Sequence, residues 1–212
     1  AFLLLFLHFI SQAQDTLKLI DVVFSNGKIT EFLDTVKTEI LIPDHFQGIP
    51  VTSIGPSVFS GRQLSWLELP NNLTSIDSAA FKNNKLEDVW IPNLITSIKS
   101  NAFANNKISA LMIPTSVTTI EEKAFFGNEL SQVTLSNSVT YIGSHAFDGN
   151  PLTQLRLPTS YQGNIHFWSD GSTTFRSGDV VTDLTKSYTI GEQDIQAKYT
   201  LTIDDVVFSN GK

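Results

Sequence analysis

Hydrophobic residues recur along this chain at a fixed step of 22 residues. The recurring positions form a Phe column, an Ile column, a column of small residues before each Phe, an Asn column three residues after it, and a Pro column. Five copies cover residues 51–160 without an insertion. The members are Phe59, Phe81, Phe103, Phe125 and Phe147; Ile54, Ile76, Ile98, Ile120 and Ile142; Val58, Ala80, Ala102, Ala124 and Ala146; Asn84, Asn106, Asn128 and Asn150; and Pro70, Pro92, Pro114 and Pro158.

A period of this length is typical of leucine-rich repeats and too short for propeller blades or helical hairpins. Within one unit, Leu86-x-x-Val89-x-Ile91 alternates like a short strand, and the Pro that follows removes a ladder donor. The segment Ser78–Asn83 suits an irregular or 3-10 turn. The pattern predicts a right-handed leucine-rich-repeat solenoid with one short parallel strand per coil. The strands are expected near residues 66–69, 88–91, 110–113, 132–135 and 154–157.

The columns predict a core shared by all coils, because no single coil can bury its own apolar face. Burial of each column Phe should contribute about 1.5–3 kcal/mol. The Asn column is expected at a turn, where its amide satisfies backbone groups that the coil leaves unpaired. Ligand contact is the alternative role, and the recurrence of Asn in successive coils favours the structural one.

Both flanks depart from the repeat. Residues 14–50 are predicted to form an N-terminal cap and a diverged first coil, because Ile40-Leu-Ile-Pro43 fits the strand pattern. Residues 161–200 alternate in short runs between turn signals, which predicts a small C-terminal β module. The octapeptide Asp21–Lys28 recurs letter for letter as Asp205–Lys212. Residues 201–212 are therefore predicted to begin a second, truncated tandem unit.

The N-terminus has the features of an export signal. Phe2–Ile10 is apolar except for His8, and Ser11-Gln-Ala13 offers small residues at a cleavage site. Residues 1–13 are thus predicted to be a signal-peptide remnant, which implies a secreted or cell-surface protein. A buried N-terminal strand or helix is the alternative. The run is too short to predict a membrane span.

The repeated motif I-x-x-x-A-F-x-x-N-x-L-x-x-V-x-I-P-x-S resembles the BspA-like leucine-rich repeats, also called the Treponema pallidum type. The resemblance covers residues 40–160, and Ala102-Phe103 with Ile113-Pro114 shows its two most specific steps. Many members carry Cys where this chain has the Asn column. The resemblance implies a bacterial secreted or surface protein, often an adhesin for matrix proteins or cells. It implies no catalytic residues, and it transfers no binding residues.

Composition narrows the chemistry further. The formal charge of −7 and the pI near 5.0 argue against nucleic acid, which needs a basic face. The absence of Cys excludes disulfides and Cys-based zinc sites. The four His residues lack metal-ligand spacing, and catalytic motifs such as G-x-S-x-G are missing. We therefore expect no enzyme activity, metal or cofactor in these residues. A catalytic domain elsewhere in a longer protein is the alternative.

Two columns should face outward beside the inward Val and Ile of each strand. They vary between coils, and they bring together an apolar cluster with charged residues at its rim. Exposed Trp is enriched at binding hot spots, whereas Trp also favours strands for packing reasons alone. The predicted function is a surface-binding or adhesion protein for a protein or glycan ligand. The alternative is a structural spacer. Oligomeric state stays open. The candidate binding residues are Trp66, Glu68, Asp88, Trp90, Met112 and Arg156.

Overall fold

The chain winds into a parallel β-solenoid whose coils repeat every 22 residues. The computed structural model describes residues 16–152 and the backbone of three further two-residue strands. A 3-10 helix, Leu19–Asp21, precedes the first strand. The strands are β1 (Val22–Ser25), β2 (Lys28–Phe32), β3 (Glu39–Leu41), β4 (His45–Phe46), β5 (Ile49–Pro50), β6 (Ser53–Ile54), β7 (Trp66–Glu68), β8 (Ser75–Ile76), β9 (Ser97–Ile98), β10 (Ala110–Met112), β11 (Thr119–Ile120), β12 (Gln132–Thr134), β13 (Tyr141–Ile142), β14 (Leu155–Arg156), β15 (Val180–Val181) and β16 (Val206–Val207).

One parallel ladder follows the Ile column, which the sequence assigned to the core without predicting a strand. In it, β2 pairs with β6 and β6 with β8, while β9, β11 and β13 form a second group. The register sets Ile upon Ile, as in Ile98, Ile120 and Ile142. At the N-terminal edge, β1 lies antiparallel to β2, with a register shift between Val23 and Phe24. Such a bulge blunts an exposed sheet edge.

The second ladder occupies the side of the coil where strands were predicted. Parallel pairing of β3 with β7 and of β10 with β12 confirms strands near 66–69, 110–113 and 132–135. The strand predicted at 88–91 is wrong, since no strand forms there. The strand β14 lies within 154–157 but pairs antiparallel with β15, which pairs antiparallel with β16. The predicted sheet is therefore interrupted.

The interruption has a physical basis in the short strands. The pairings of β3 with β7 and of β10 with β12 span three residues each, so a single ladder contributes little to coil alignment. Alignment is kept on either side of the gap, where Lys85 N donates to Leu64 O (2.7 Å) and Lys107 N donates to Leu86 O (2.9 Å). The coil that carries Trp90 therefore stays aligned with its neighbours, although its residues 88–91 form no strand.

The Phe column forms a continuous stack through the core. From Phe59 to Phe147 the successive ring centroids lie 5.2, 5.5, 5.7 and 5.8 Å apart, and neighbouring rings are within 7° of parallel. Phe32 of the cap extends the stack at 4.9 Å from Phe59, with a tilt of 48°. The five column Phe residues are 0–4% exposed, which confirms their predicted burial.

The Asn column is a hydrogen-bond ladder inside the solenoid, as predicted. Asn106 is 6% exposed, and its Nδ2 donates to the carbonyls of Phe81 and Phe103, both at 3.0 Å. Its Oδ1 accepts the N–H of Leu86 at 3.2 Å. Each Asn therefore ties its own turn to the preceding coil.

The turn before each Phe is irregular because one residue adopts a left-handed backbone. Ala79 has φ 57°, and turn bonds join Ala80 N to Asp77 O (3.2 Å) and Lys82 N to Ala79 O (3.1 Å). A helix cannot continue through such a residue. The equivalent left-handed residues in the other coils are Ser57, Asn101, Lys123 and His145.

The N-terminal segment supplies the first strands of both ladders, β2 and β3. The extra residues between β3 and β6 form the hairpin β4–β5, whose turn is the left-handed pair Gln47-Gly48. Residues 1–13 lie outside the described part of the chain. So do residues 161–200 and 201–212, apart from the backbone of β15 and β16. The signal peptide, the β module and the second unit stay predictions.

Candidate binding face

The predicted outward columns lie at the surface. Trp90 is 69% exposed and Met112 is 65% exposed, which is unusual for side chains of this size. Glu68 and Asp88 are also exposed, and Trp66 is half-buried. Between the columns, Leu67 and Leu111 point inward and are 7% and 5% exposed.

The register places acidic and aromatic residues alternately on this face. Glu39 is the ladder partner of Trp66, and the 22-residue step places Asp88 on the other side of Trp66. In the adjacent column, Glu68 precedes Trp90 by the same step. An indole therefore alternates with a carboxylate within each coil and also from one coil to the next. We call these five residues, Glu39, Trp66, Glu68, Asp88 and Trp90, the acidic–aromatic patch.

Met112 continues the column of Trp90 and is paired in register with Thr134. Five of the six candidate residues thus share one face. Arg156 lies on β14, for which only the backbone is described, and β14 has left the parallel ladder. Its predicted place at the rim stays untested.

The repeat pattern did not identify Glu39 as part of this face. Glu39 stands four residues before Pro43, as Trp66 stands four residues before Pro70, so the strand match already contained the signal. Leu94, 52% exposed just beyond Pro92, was also missed, because it lies in a variable turn column.

The opposite ladder carries structural charges. Lys28 Nζ lies 2.6 Å from Asp77, and Lys99 Nζ lies 2.8 Å from Glu121. Burial is the largest single effect and raises the pKa of each carboxyl, but the hydrogen bond from Lys, the hydrogen bonds from Ser and the Lys charge together outweigh it and hold both pKa values below the usual range. At Glu121, the N–H and hydroxyl of Ser100 add to this effect. These ion pairs join neighbouring coils, and their charges are already compensated and less available to a ligand.

A second apolar surface lies at the N-terminal cap, where Ile20 and Val36 are each 82% exposed. A charge cluster holds its loop, because Lys37 Nζ contacts Asp21 (2.8 Å) and Asp34 (3.1 Å). Asp34 accepts hydrogen bonds from the backbone N–H groups of Lys37, which has the larger effect, and of Val36, and these lower its pKa to about 2. This surface lacks the alternating charge of the acidic–aromatic patch.

Within the described residues, no group of three or more His, Cys, Asp or Glu side chains could hold a metal ion. The same part of the chain contains no helix that is long and apolar enough to cross a membrane.

A family model, the BspA type leucine rich repeat region, matches residues 52–169 in six copies. This match covers more than half of the 212-residue chain. The chain belongs to this family. As a BspA-type repeat protein, it carries Asn84, Asn106, Asn128 and Asn150 in the column where many members carry Cys, and the ladder described above shows that Asn serves the fold there.

Solved structures of other leucine-rich repeat proteins are similar. A T. pallidum leucine rich repeat protein is 20% identical, with a TM-score of 0.45, over 57% of this chain and 69% of that one. A Bacteroides ovatus leucine-rich repeat protein is 17% identical, with a TM-score of 0.43, over 70% and 53%. A leucine rich cell surface protein from Faecalibacterium prausnitzii is 20% identical, with a TM-score of 0.36, over 74% and 52%. No curated protein matches the chain significantly.

Proposed function

We propose that this BspA-type repeat protein is a non-enzymatic recognition protein of the cell surface or the secreted fraction. Its ligand is a protein or a glycan, and it binds at the sheet face around Trp66, Trp90 and Met112. The observation that carries the proposal is the exposure of Trp90 and Met112, at 69% and 65%, in a repeat whose other large apolar side chains are mostly buried. Exposed aromatic clusters of this kind mark binding sites.

Two further observations support the proposal. The core columns repeat from coil to coil, whereas the two outward columns vary, so packing does not determine their residues. The apolar run at residues 1–13 supports export. Repeat solenoids present such extended faces to protein partners.

The second candidate function is a structural spacer that holds other domains away from the cell. The exact recurrence of Asp21–Lys28 at Asp205–Lys212 favours it, because tandem units build long, stiff arrays. A spacer needs no exposed Trp, and for that reason we rank recognition first.

The test is a screen of the chain against arrays of extracellular matrix proteins and glycans. The wild type is compared with a Trp66→Ala/Trp90→Ala double variant, and a Leu33→Ala/Val36→Ala variant at the cap serves as the matched control. We expect a ligand that the control retains and the Trp variant loses. A ligand bound equally by all three proteins would place the site elsewhere, and the absence of any ligand would favour the spacer.

A further inference from the structure

The acidic–aromatic patch has a chemical preference of its own. Its two indoles stand between three carboxylates: Trp66 lies between Glu39 and Asp88 in one column, and Trp90 follows Glu68 in the next. Neighbouring strands of a sheet lie about 4.8 Å apart, and alternate residues of one strand about 6.6–6.8 Å apart. Residues 88–91, which include Asp88 and Trp90, form no strand, but the hydrogen bonds from Lys85 N to Leu64 O and from Lys107 N to Leu86 O keep their coil stacked on its neighbours. Each indole therefore has carboxylates within the span of a single Lys or Arg side chain.

None of the ion pairs among the described residues involves Glu39, Glu68 or Asp88. The outward columns from Glu39 to Gln132 and from Leu41 to Thr134 contain no Lys or Arg. The described ion pairs of the coils lie elsewhere, as in Lys28–Asp77 and Lys99–Glu121 on the opposite ladder. The whole chain carries a formal charge of −7, which adds a long-range attraction for cations.

We propose that the acidic–aromatic patch binds a basic, extended segment of a protein partner, with a Lys or Arg side chain laid against the Trp90 indole. This inference rests on the proposed function and specifies the chemistry of the ligand. A cation over an indole is attracted by the negative face of the ring, and Trp is the best such acceptor among the side chains. Carboxylates beside the ring add a direct charge interaction with the same cation.

The spacing of the patch also fits an extended ligand. A strand-like segment presents side chains on one face about every 6.6–6.8 Å, which is the separation of the two outward columns. Basic residues at alternate positions would therefore fall on the columns of Trp66 and Trp90 together. Beyond them, Met112 and Ala110 offer an uncharged surface for an apolar residue of the segment.

The experiment titrates the whole chain with a labelled peptide that alternates Lys and Thr, and with its Glu–Thr counterpart, by fluorescence anisotropy. The variants are Glu68→Gln/Asp88→Asn, which removes charge from the patch, and Trp90→Leu, which removes the ring but keeps an apolar side chain. The matched control, Glu31→Gln/Glu129→Gln, removes the same charge from exposed positions off the patch. Thermal unfolding followed by circular dichroism verifies that each variant is folded.

We expect the Lys–Thr peptide to bind and the Glu–Thr peptide not to bind. Removal of two carboxylates from the patch should weaken binding about 2- to 30-fold, from the usual strength of exposed charge pairs. The Trp90→Leu change should weaken it as well, and the control should bind as the wild type does. Equal weakening by the control would show attraction to net charge alone and overturn the inference, as would the absence of binding.

The outcome is separable from that of the proposed function. If a matrix protein is lost with Trp66→Ala/Trp90→Ala but retained by Glu68→Gln/Asp88→Asn, the face binds ligands and the basic preference is wrong. If neither pair of changes affects a captured ligand, both proposals fail at this face.

Discussion

Replacement of Asn106 by Ala tests the hydrogen-bond ladder that joins the coils. The side chain is buried, donates to Phe81 O and Phe103 O, and accepts from Leu86 N. The Ala variant leaves the Leu86 N–H without a partner in a buried site, whereas Phe81 O and Phe103 O keep the hydrogen bonds that Asn84 and Asn128 donate to them. An unpaired buried group costs about 1–3 kcal/mol, so the loss should be of that size. Most domains have a free energy of unfolding of about 5–15 kcal/mol, so this loss would be a substantial part of the total.

The assay is urea unfolding at neutral pH, followed by circular dichroism, for the wild type, Asn106→Ala and Asn93→Ala. Asn93 is an exposed residue in an earlier turn of the chain, and its replacement should change the free energy of unfolding by no more than about 0.5 kcal/mol. The dependence on urea should be similar for all three proteins, so that the midpoints report stability. If Asn106→Ala costs no more than Asn93→Ala, the ladder contributes nothing and our account of the column fails.

Three further predictions concern stability. Phe103→Ala should cost about 3–5 kcal/mol in urea unfolding, because it opens a cavity in the middle of the ring stack, and a loss under 1 kcal/mol would contradict continuous packing. Ala79→Gly should raise the melting temperature, because glycine relieves the left-handed backbone, whereas Ala80→Gly should lower it; the reverse order would refute the assigned turn. Glu121→Gln should lower the free energy of unfolding at pH 7, because folding lowers the pKa of this carboxyl and such a group stabilises the fold above its unfolded pKa. The difference between the two proteins should vanish as the pH falls through the folded pKa. An unchanged difference in acid would refute the role of the pair with Lys99.

The core and the Asn ladder could be predicted from the sequence because every coil repeats the same packing problem. An Ile, a Phe or an Asn that returns at a constant step has to meet its own copy in the next coil. The burial of the Phe column and the inward amide of Asn106 follow from that periodicity alone.

The ladder along the Ile column could not be predicted in the same way. Its strands within the repeats, such as Ser97–Ile98, are two residues long, and two residues show no alternation. The opposite error arose at 88–91, where the alternation of Asp88, Val89, Trp90 and Ile91 was clear but the inter-coil hydrogen bonds lapse. Alternation fixes which side chains face inward, and it does not fix whether adjacent backbones pair.

The exposed columns of the candidate face could be predicted from the sequence, and Glu39 was missed because the first coil diverges from the period. The surface at Ile20 and Val36 had no signal in the sequence, since those residues belong to no repeat. Exposure there depends on how the cap loop is held by Lys37, which is a contact of tertiary structure.

Site-directed cross-linking to a ligand found in the array screen tests the central claim most directly. Because the chain contains no Cys, an introduced Cys is its only labelled position. A photoreactive maleimide is attached to Ala110→Cys on the binding face or to Thr74→Cys, an exposed position of the opposite ladder. The account predicts a covalent adduct with the partner from position 110 and none from position 74. Adducts from position 74 alone, or equally from both, would contradict recognition through the face that carries Trp90.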